Sequence, residues 1–531
     1  MKIARIQTGL FLLVALMASL SLFAAGQISI QREPPRNQGG RWTENIRCRI
    51  PVKPGERLTL RAAPGSVDVK TGAMDHLECL VHLAAYNPNP EEAKNCLDHY
   101  SLKAQRVSGG AVITGKFECG SHPGSLSAAF EIETPLKFNL VAETQDGQVQ
   151  VDRLEGSLHV ETSGGDIRAG NVAGPVWVNT SGGTIRLGNI GQNVQARTAG
   201  GNIQVGNVNG SAILDTGGGE ISAGIVNGPV QAQTGGGDIL LKAASGPVVV
   251  GTGGGQIHLG ECGNTVRAQT AAGNIRVAGA RGGVRAQTSG GSIDLFQAMG
   301  SVLAQTSAGR ILAQIDANKH TFAPSHLQTQ VGDVDVFIPP SLPVNINAMI
   351  GHALGHRIVS DFPLKIQNEG GNFMAGPVHA GGALNGGGSD LEIHTLMGNI
   401  QIRKLDPQSA AKLKAFQNDF WKHWQETAQQ RAAAAQRIEQ LQRQLGLQRA
   451  RFREQMQQMD ADQVQQMARQ MEKQSSELQE QLRQINMQWV GGLDQQIEEH
   501  NAALRKQLQD MNQQLRDRIQ QEIRYVGGQN Q

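Results

Sequence analysis

Aromatic residues are scarce: Phe, Trp and Tyr make up 4 % of the 531 residues. So few large rings fill the core of a large mixed enzyme poorly, and short strands joined by tight turns fit better. Charge of one sign is also missing. The 48 Lys and Arg nearly cancel the 46 Asp and Glu, leaving +2, so no global field draws the chain to nucleic acid or to an acidic partner. Past the N-terminal segment no apolar run approaches the ~20 residues that a spanning helix needs. No Gly-x-Ser-x-Gly elbow, no phosphate loop closing on Gly-Lys-Ser/Thr and no Cys-x-x-Cys pair occurs. What is abundant is glycine, with 66 residues, about 12 % against a usual ~7 %.

Lys2 and Arg5 precede an apolar run from Leu10 to Ala25, which ends in Ala24-Ala25-Gly26. This is the three-part layout of a secretory signal, so residues 1–26 are expected to be removed and the chain exported, to the periplasm or the cell surface. No stable membrane span is expected afterwards. Four of the five cysteines, Cys48, Cys79, Cys96 and Cys119, lie before residue 120. An even set in an exported chain predicts two disulfides, with three pairings open.

The chain is organised by a repeat. Thr144, Thr162, Thr180, Thr198, Thr216, Thr234, Thr252, Thr270, Thr288 and Thr306 are spaced by 18 residues without a slip. Counting from each Thr, Gly stands at +3, as at Gly165 and Gly219. Apolar residues stand at +5, +7 and +10, as at Ile167, Ala169 and Val172, and often at −4, as at Val176 and Val194. The local period of two marks strands. The Gly at +3 turns the chain between them, and a positive φ is the expected reason for glycine there. Cys262 falls on the +10 column and reads as a small buried hydrophobe with a free thiol.

A unit of 18 residues without a helix is too short for a propeller blade. It matches one coil of a single-stranded parallel β-helix of triangular section, each coil pairing with the next at ~4.8 Å. No coil can bury its face alone, so stability is cooperative between neighbours. Further coils are expected from Leu58 to Val69, at Thr329 after a five-residue slip, and last from Leu391 to Ile402. About 12 to 15 coils would give a stack some 60–70 Å long.

The Thr-x-Gly-Gly-x-Ile motif, the Gly-Asp-Val-Asp-Val-Phe-Ile-Pro at 332–339 and the Ser-Asp-Phe-Pro at 360–363 resemble the bacterial "putative adhesin" β-helix family, over roughly residues 45–405. The resemblance implies an exported β-helix, right-handed in most members, with no catalytic residues. The repeat itself leaves handedness open.

Composition changes at Asp406-Pro407, a capping residue followed by a good first helical residue. Beyond it Gln is abundant and apolar residues recur at three and four spacing, as at Ile438, Leu441, Leu445 and Phe452. A coiled coil or helical hairpin is expected over 406–531, broken at Gly491-Gly492. If the seam does not close on itself it needs a second copy of the chain. Phe420, Trp421 and Trp424 are expected to dock the start of this region on the last coil.

Chemistry-bearing residues are few. The column at +4 holds Asp166, Thr184, Asn202, Glu220, Asp238, Gln256, Asn274 and Ser292. Glu220 and Asp238 would stand one strand spacing apart, where paired carboxylates can bind Ca²⁺ or act as acid and base. The stronger reading is that short polar side chains cap the turns there. Gly235-Gly236-Gly237-Asp238 is similar to part of a calcium-binding repeat, but the Asp does not recur from coil to coil. His352 and His356 are four apart, a metal spacing on a helix, yet Gly351 and Gly355 argue against one. Trp177 and Phe296 are nearly the only aromatics of the regular coils, which disfavours sugar binding on stacked rings. No catalytic, cofactor-binding or metal-binding residue is therefore assigned, and no cofactor is expected.

The resulting division is a signal (1–26), an N-terminal β region (27–143), regular coils (144–315), irregular final coils (316–405) and a Gln-rich helical region (406–531). The expected function is that of a non-catalytic exported scaffold, an adhesin or envelope-surface interaction protein whose partner is a protein or a surface glycan. A periplasmic partner of an envelope stress or signalling system is the alternative. A polysaccharide-active enzyme comes third.

Overall fold

Glycine-marked corners let each 18-residue unit lay two short strands against the same two strands of the next unit. The computed structural model describes residues 28–38, 41–86, 90–117, 126–368 and 376–415, with 417, 418 and 437. The signal-type segment, Cys119, Phe420, Trp421, Trp424, Gly491-Gly492 and the heptads lie outside these residues. The chain divides into two compact units, 1–404 and 405–531.

In the regular coils the first strand of each unit ends on the repeat threonine from β12 (Leu158–Thr162) to β24 (Val266–Thr270), while β26 (Val284–Gln287) stops one residue short and β28 (Val302–Ala308) runs two past it. The second opens on the +5 apolar residue, from β13 (Ile167–Ala169) to β29 (Ile311–Ile315). Pairing is parallel and in register, Thr to Thr and Ile to Ile, as in Thr198↔Thr216 and Ile203↔Ile221. The +10 column forms single bridges from Leu154 to Val226. From Ile221–Val226 onward it joins the second strand. The inward columns are buried, Cys262 among them with 2 % exposure. Burial pushes the Cys262 thiol up to about 12. This is a parallel β-helix.

Among the described residues, fifteen strands stack in parallel in the threonine-ending sheet. Fifteen stack likewise in the isoleucine sheet.

Both ends depart from chain order. The coil made by β4 (Arg57–Ala63) and β5 (Ser66–Gly72) lies between β8 (Gly110–Phe117) with β9 (Leu126–Pro135) on one side and β10 (Asn139–Thr144) with β11 (Val149–Val151) on the other. At the far end, β36 (Ser389–Met397) and β37 (Ile400–Lys404) slot between β30 (Ser325–Val331) with β31 (Val334–Ile338) and β32 (Val344–Ile350) with β33 (Ile358–Ser360). The coil expected to be last is thus the penultimate layer. Beyond these layers the pairing turns antiparallel. β3 (Arg41–Pro51), β6 (His76–Tyr86) and β9 form one cap, with α1 (Pro90–Asp98) packed on β3 and β6. β34 (Lys365–Asn368) and β35 (Val378–Leu384) form the other. Caps of this kind cover the parallel edges of both sheets at the N-terminal end and of the threonine sheet at the other.

The corners explain the motif. Each repeat threonine donates its hydroxyl to the carbonyl of the +3 glycine one coil earlier, at 2.6–3.0 Å from Thr144 to Thr306. From Thr162 to Thr288 the same oxygen accepts the N–H of its own +3 glycine at 3.2–3.3 Å. In the regular coils the expectation of positive φ at these glycines is wrong, since φ lies outside that region at Gly219 and its equivalents from Gly147 to Gly309; the matching Gly332 and Gly398 of the irregular coils have φ of +148° and +156°. Glycine is required by close approach instead. A Cβ on Gly219 would stand 2.2 Å from the Gly201 carbonyl oxygen. The +2 glycine is roomier, and a Cβ on Gly218 would lie 4.0 Å from its nearest neighbour.

Beyond the stack, Pro407 opens a helix over 407–415. Asp406 caps it, accepting the Ser409 N–H at 2.8 Å, and that bond lowers the Asp406 pKa. The coiled coil itself falls outside the described residues.

The two glycines give a paired test. Gly219→Ala should cost on the order of 2 kcal/mol or more, because backbone must move to clear the Cβ. Gly218→Ala should stay within about 0.5 kcal/mol, as ordinary surface changes do. Urea midpoints of the two variants check this.

Candidate interaction surfaces

The +4 column is the place where the sequence suggests paired carboxylates. Asp166 accepts the Thr184 N–H at 2.8 Å, Asn202 that of Glu220 at 2.6 Å, Asp238 that of Gln256 at 2.7 Å, and Asn274 that of Ser292 at 2.8 Å. Each Asx side chain thus caps the backbone of the next coil. Other corners repeat the device: Asn171, Asn189 and Asn207 cap successive coils at one, and Asn139 and Asn193 serve another. The turn-capping reading of this column holds, and the Asp238 oxygen that would serve a cation or an acid–base pair already accepts a backbone hydrogen bond of the next coil.

His352 and His356 lie in a turn. The His356 N–H donates to the Ala353 carbonyl at 2.6 Å, and Leu354 and Gly355 have φ of +43° and +88°. Helical spacing does not apply, so the two rings share no helix face. Among the described residues no group of three or more His, Cys, Asp or Glu is placed to hold a metal.

Outward positions carry the variety. On the threonine sheet the −3 and −1 rows face out. His159 and Trp177 stack there with ring centroids 4.2 Å apart and planes 10° from parallel, so the indole packs along the stack rather than offering an open face. Farther on, the Gln287 amide donates to Gln305 at 2.7 Å and that of Gln305 to Gln328 at 3.5 Å. These glutamines, with Gln269, Ser289 and Ser307, line a cavity of about 340 Å³. Phe296, the other aromatic singled out, is 1 % exposed and offers no platform.

On the isoleucine sheet the +6 row points away from the core; it is half-exposed at Arg168 and Arg186 and buried at Leu240, His258, Asp294 and Leu312. Arg168 and Arg186, paired in register, join Arg153, Gln150, Gln204 and Thr71 around an open cavity of about 910 Å³. Arg168 contacts Asp166 at 3.3 Å. This basic groove was not anticipated, because net charge averages it away. Arg at +6 in two consecutive units is the signal that marks it. Farther along, Asp294 is 5 % exposed and sits between Arg276 and Arg310, at 2.6 and 3.0 Å. Two cations around one buried carboxylate offset its desolvation.

A second unanticipated cluster sits on the threonine sheet at the C-terminal end. His326 meets Glu392 at 3.0 Å and approaches the His394 ring edge-on at 5.4 Å. Residues 66 apart are neighbours here only because β36 slots beside β30. Burial lowers the His394 pKa, and His326 and His379 lower it further while Glu392 opposes them. The Nε2 of His394 is buried without a hydrogen-bond partner.

No family model matches the chain, and no curated protein matches it. A similar solved structure is a "putative cell adhesion protein" from Clostridium sporogenes. It is 10 % identical, covers 71 % of this chain and 100 % of its own, and has a TM-score of 0.13. A score that low carries no argument. Among the described residues no helix is long and apolar enough to cross a membrane.

The His394 cluster predicts a pH dependence. With the folded pKa depressed, the unfolded chain takes up the proton first as pH falls below about 6.5. Stability of the C-terminal layers is therefore full above that pH and declines as pH falls toward the folded value. The protection factors of amides 389–404, exchange corrected for its intrinsic slowing in acid, should fall over that range, and His394→Asn should remove the trend.

Proposed function

We propose that this chain is a non-catalytic exported scaffold that presents its outward rows to another surface, as an adhesin or envelope-surface interaction protein. One observation carries the reading. Within each coil the inward columns are consumed by the core and the corners by capping, while the outward rows change from coil to coil. The −1 row varies over the first coils, Glu143, Glu161, Asn179, Arg197, Asp215, and then settles into glutamine at Gln233, Gln269, Gln287, Gln305 and Gln328. Fixed positions build the stack, and variable ones are displayed at regular steps of ~4.8 Å. Such a surface suits an extended partner, whether a protein strand or a surface glycan, that lies across several coils.

The resemblance over residues 45–405 points the same way. The helical region 406–531 would then serve as the joining part, to a second copy or to an envelope partner. A periplasmic role in envelope stress or signalling is the alternative, with those helices as the docking element. An enzyme would need several carboxylates around one groove. The larger groove is lined by three arginines and the single carboxylate Asp152.

Protease added to intact cells separates the two leading readings. Cleavage of the chain from outside supports display at the surface. Full protection until the envelope is opened contradicts it and supports the periplasmic partner.

A further inference from the structure

The N-terminal cap holds a thiol pair that neither the core nor the interaction surfaces account for. β3 and β6 run antiparallel with Cys48 directly opposite Cys79. The flanking pairs on the same face, Ile46↔Val81 and Ile50↔Leu77, are fully buried, and each cysteine is 3 % exposed. Opposed residues on one face of an antiparallel pair have Cβ atoms about 4.5–5.5 Å apart. A disulfide needs about 3.5–4.5 Å, so closing one asks for a small approach of the two strand backbones and no change of register.

We propose that Cys48 and Cys79 are an oxidation site, joined as a cross-strand disulfide in the exported protein. Of the three pairings open to the four N-terminal cysteines, this geometry selects one. The step is thiol–disulfide exchange with a disulfide-donor oxidant. One S–S bond of the oxidant breaks, one forms between Cys48 and Cys79, and the donor leaves as two thiols carrying the two protons. The hydrogen bond to Cys79 and burial raise the Cys48 pKa well above the ordinary thiol range. The reactive thiolate is therefore suppressed once the cap has closed. Oxidation belongs to folding, before β3 and β6 are covered, and the finished bond is shielded from reductant. Its effect is to staple the strands that lie beyond the parallel stack, where fraying of a repeat array starts. The inference is independent of what the outward rows bind.

The full chain, refolded with oxidised glutathione, would be denatured, alkylated and cleaved after glutamate without reduction. That cleavage places Cys48 in fragment 45–56 and Cys79 in fragment 79–91. The expected result is these two fragments linked, with Cys262 alkylated. Both fragments alkylated, or either joined to Cys96 or Cys119, overturns the proposal. A second readout does not depend on any variant folding: protein refolded in reductant should be cut in the cap at least about tenfold faster than oxidised protein. The double variant C48S/C79S should show no such difference. Equal rates for the oxidised and reduced wild type would contradict the stapling role.

Discussion

A single hydrogen-bond relay holds the coils together at their tightest corner. The threonine oxygen accepts from the glycine of its own coil and donates to the glycine of the coil before it. Each buried hydroxyl therefore satisfies two backbone groups that the turn would otherwise leave unpaired, at a cost of about 1–3 kcal/mol each if unmet. The relay also fixes register. A coil that slipped by one residue against its neighbour would lose the bond its threonine donates and turn its isoleucine column outward. Threonine suits the position because its methyl joins the core while its oxygen faces the corner. Glycine is dictated at +3 by the carbonyl that comes so near.

The ends of the stack use one device twice. At each end the chain leaves the ladder, builds an outer layer, and another segment of the chain occupies the layer inside it. The relay continues through the inserted coil, where Thr395 donates to Gly332 at 3.0 Å across 63 residues of chain. The clamped layer is held on both sides, which makes the ends stiffer than simple termination of a repeat. Antiparallel strands then cover the edges of both sheets at the N-terminal end and of the threonine sheet at the other.

Much of this was legible in the residues. Ten threonines in phase, with apolar columns at fixed offsets, define a β-helix with little room for another fold. The capping role of Asp166 and Asp238 was legible because short polar groups after paired glycines belong to turns. The reason for glycine was not, since a steric demand from the coil before cannot be told from a demand for positive φ within one chain segment. The position of residues 389–404 in the stack was hidden too. Their pattern marks a coil, and a pattern carries no information about which coil lies beside it. The His326–Glu392–His394 cluster follows from that placement and was invisible for the same reason.

The interaction reading rests on the same economy. Where fold and corner consume the inward and turning positions, only the outward rows are left to carry specificity, and they vary. The account stands or falls on the relay. Amide hydrogen exchange of the turn glycines tests it most directly. Gly183, Gly201, Gly219 and Gly255, whose N–H groups the threonines accept, should exchange as slowly as the strand amides. The exposed +2 glycines Gly182, Gly200 and Gly218 should exchange far faster. Equal, rapid exchange at both positions would contradict the claim that the threonine–glycine relay holds the stack.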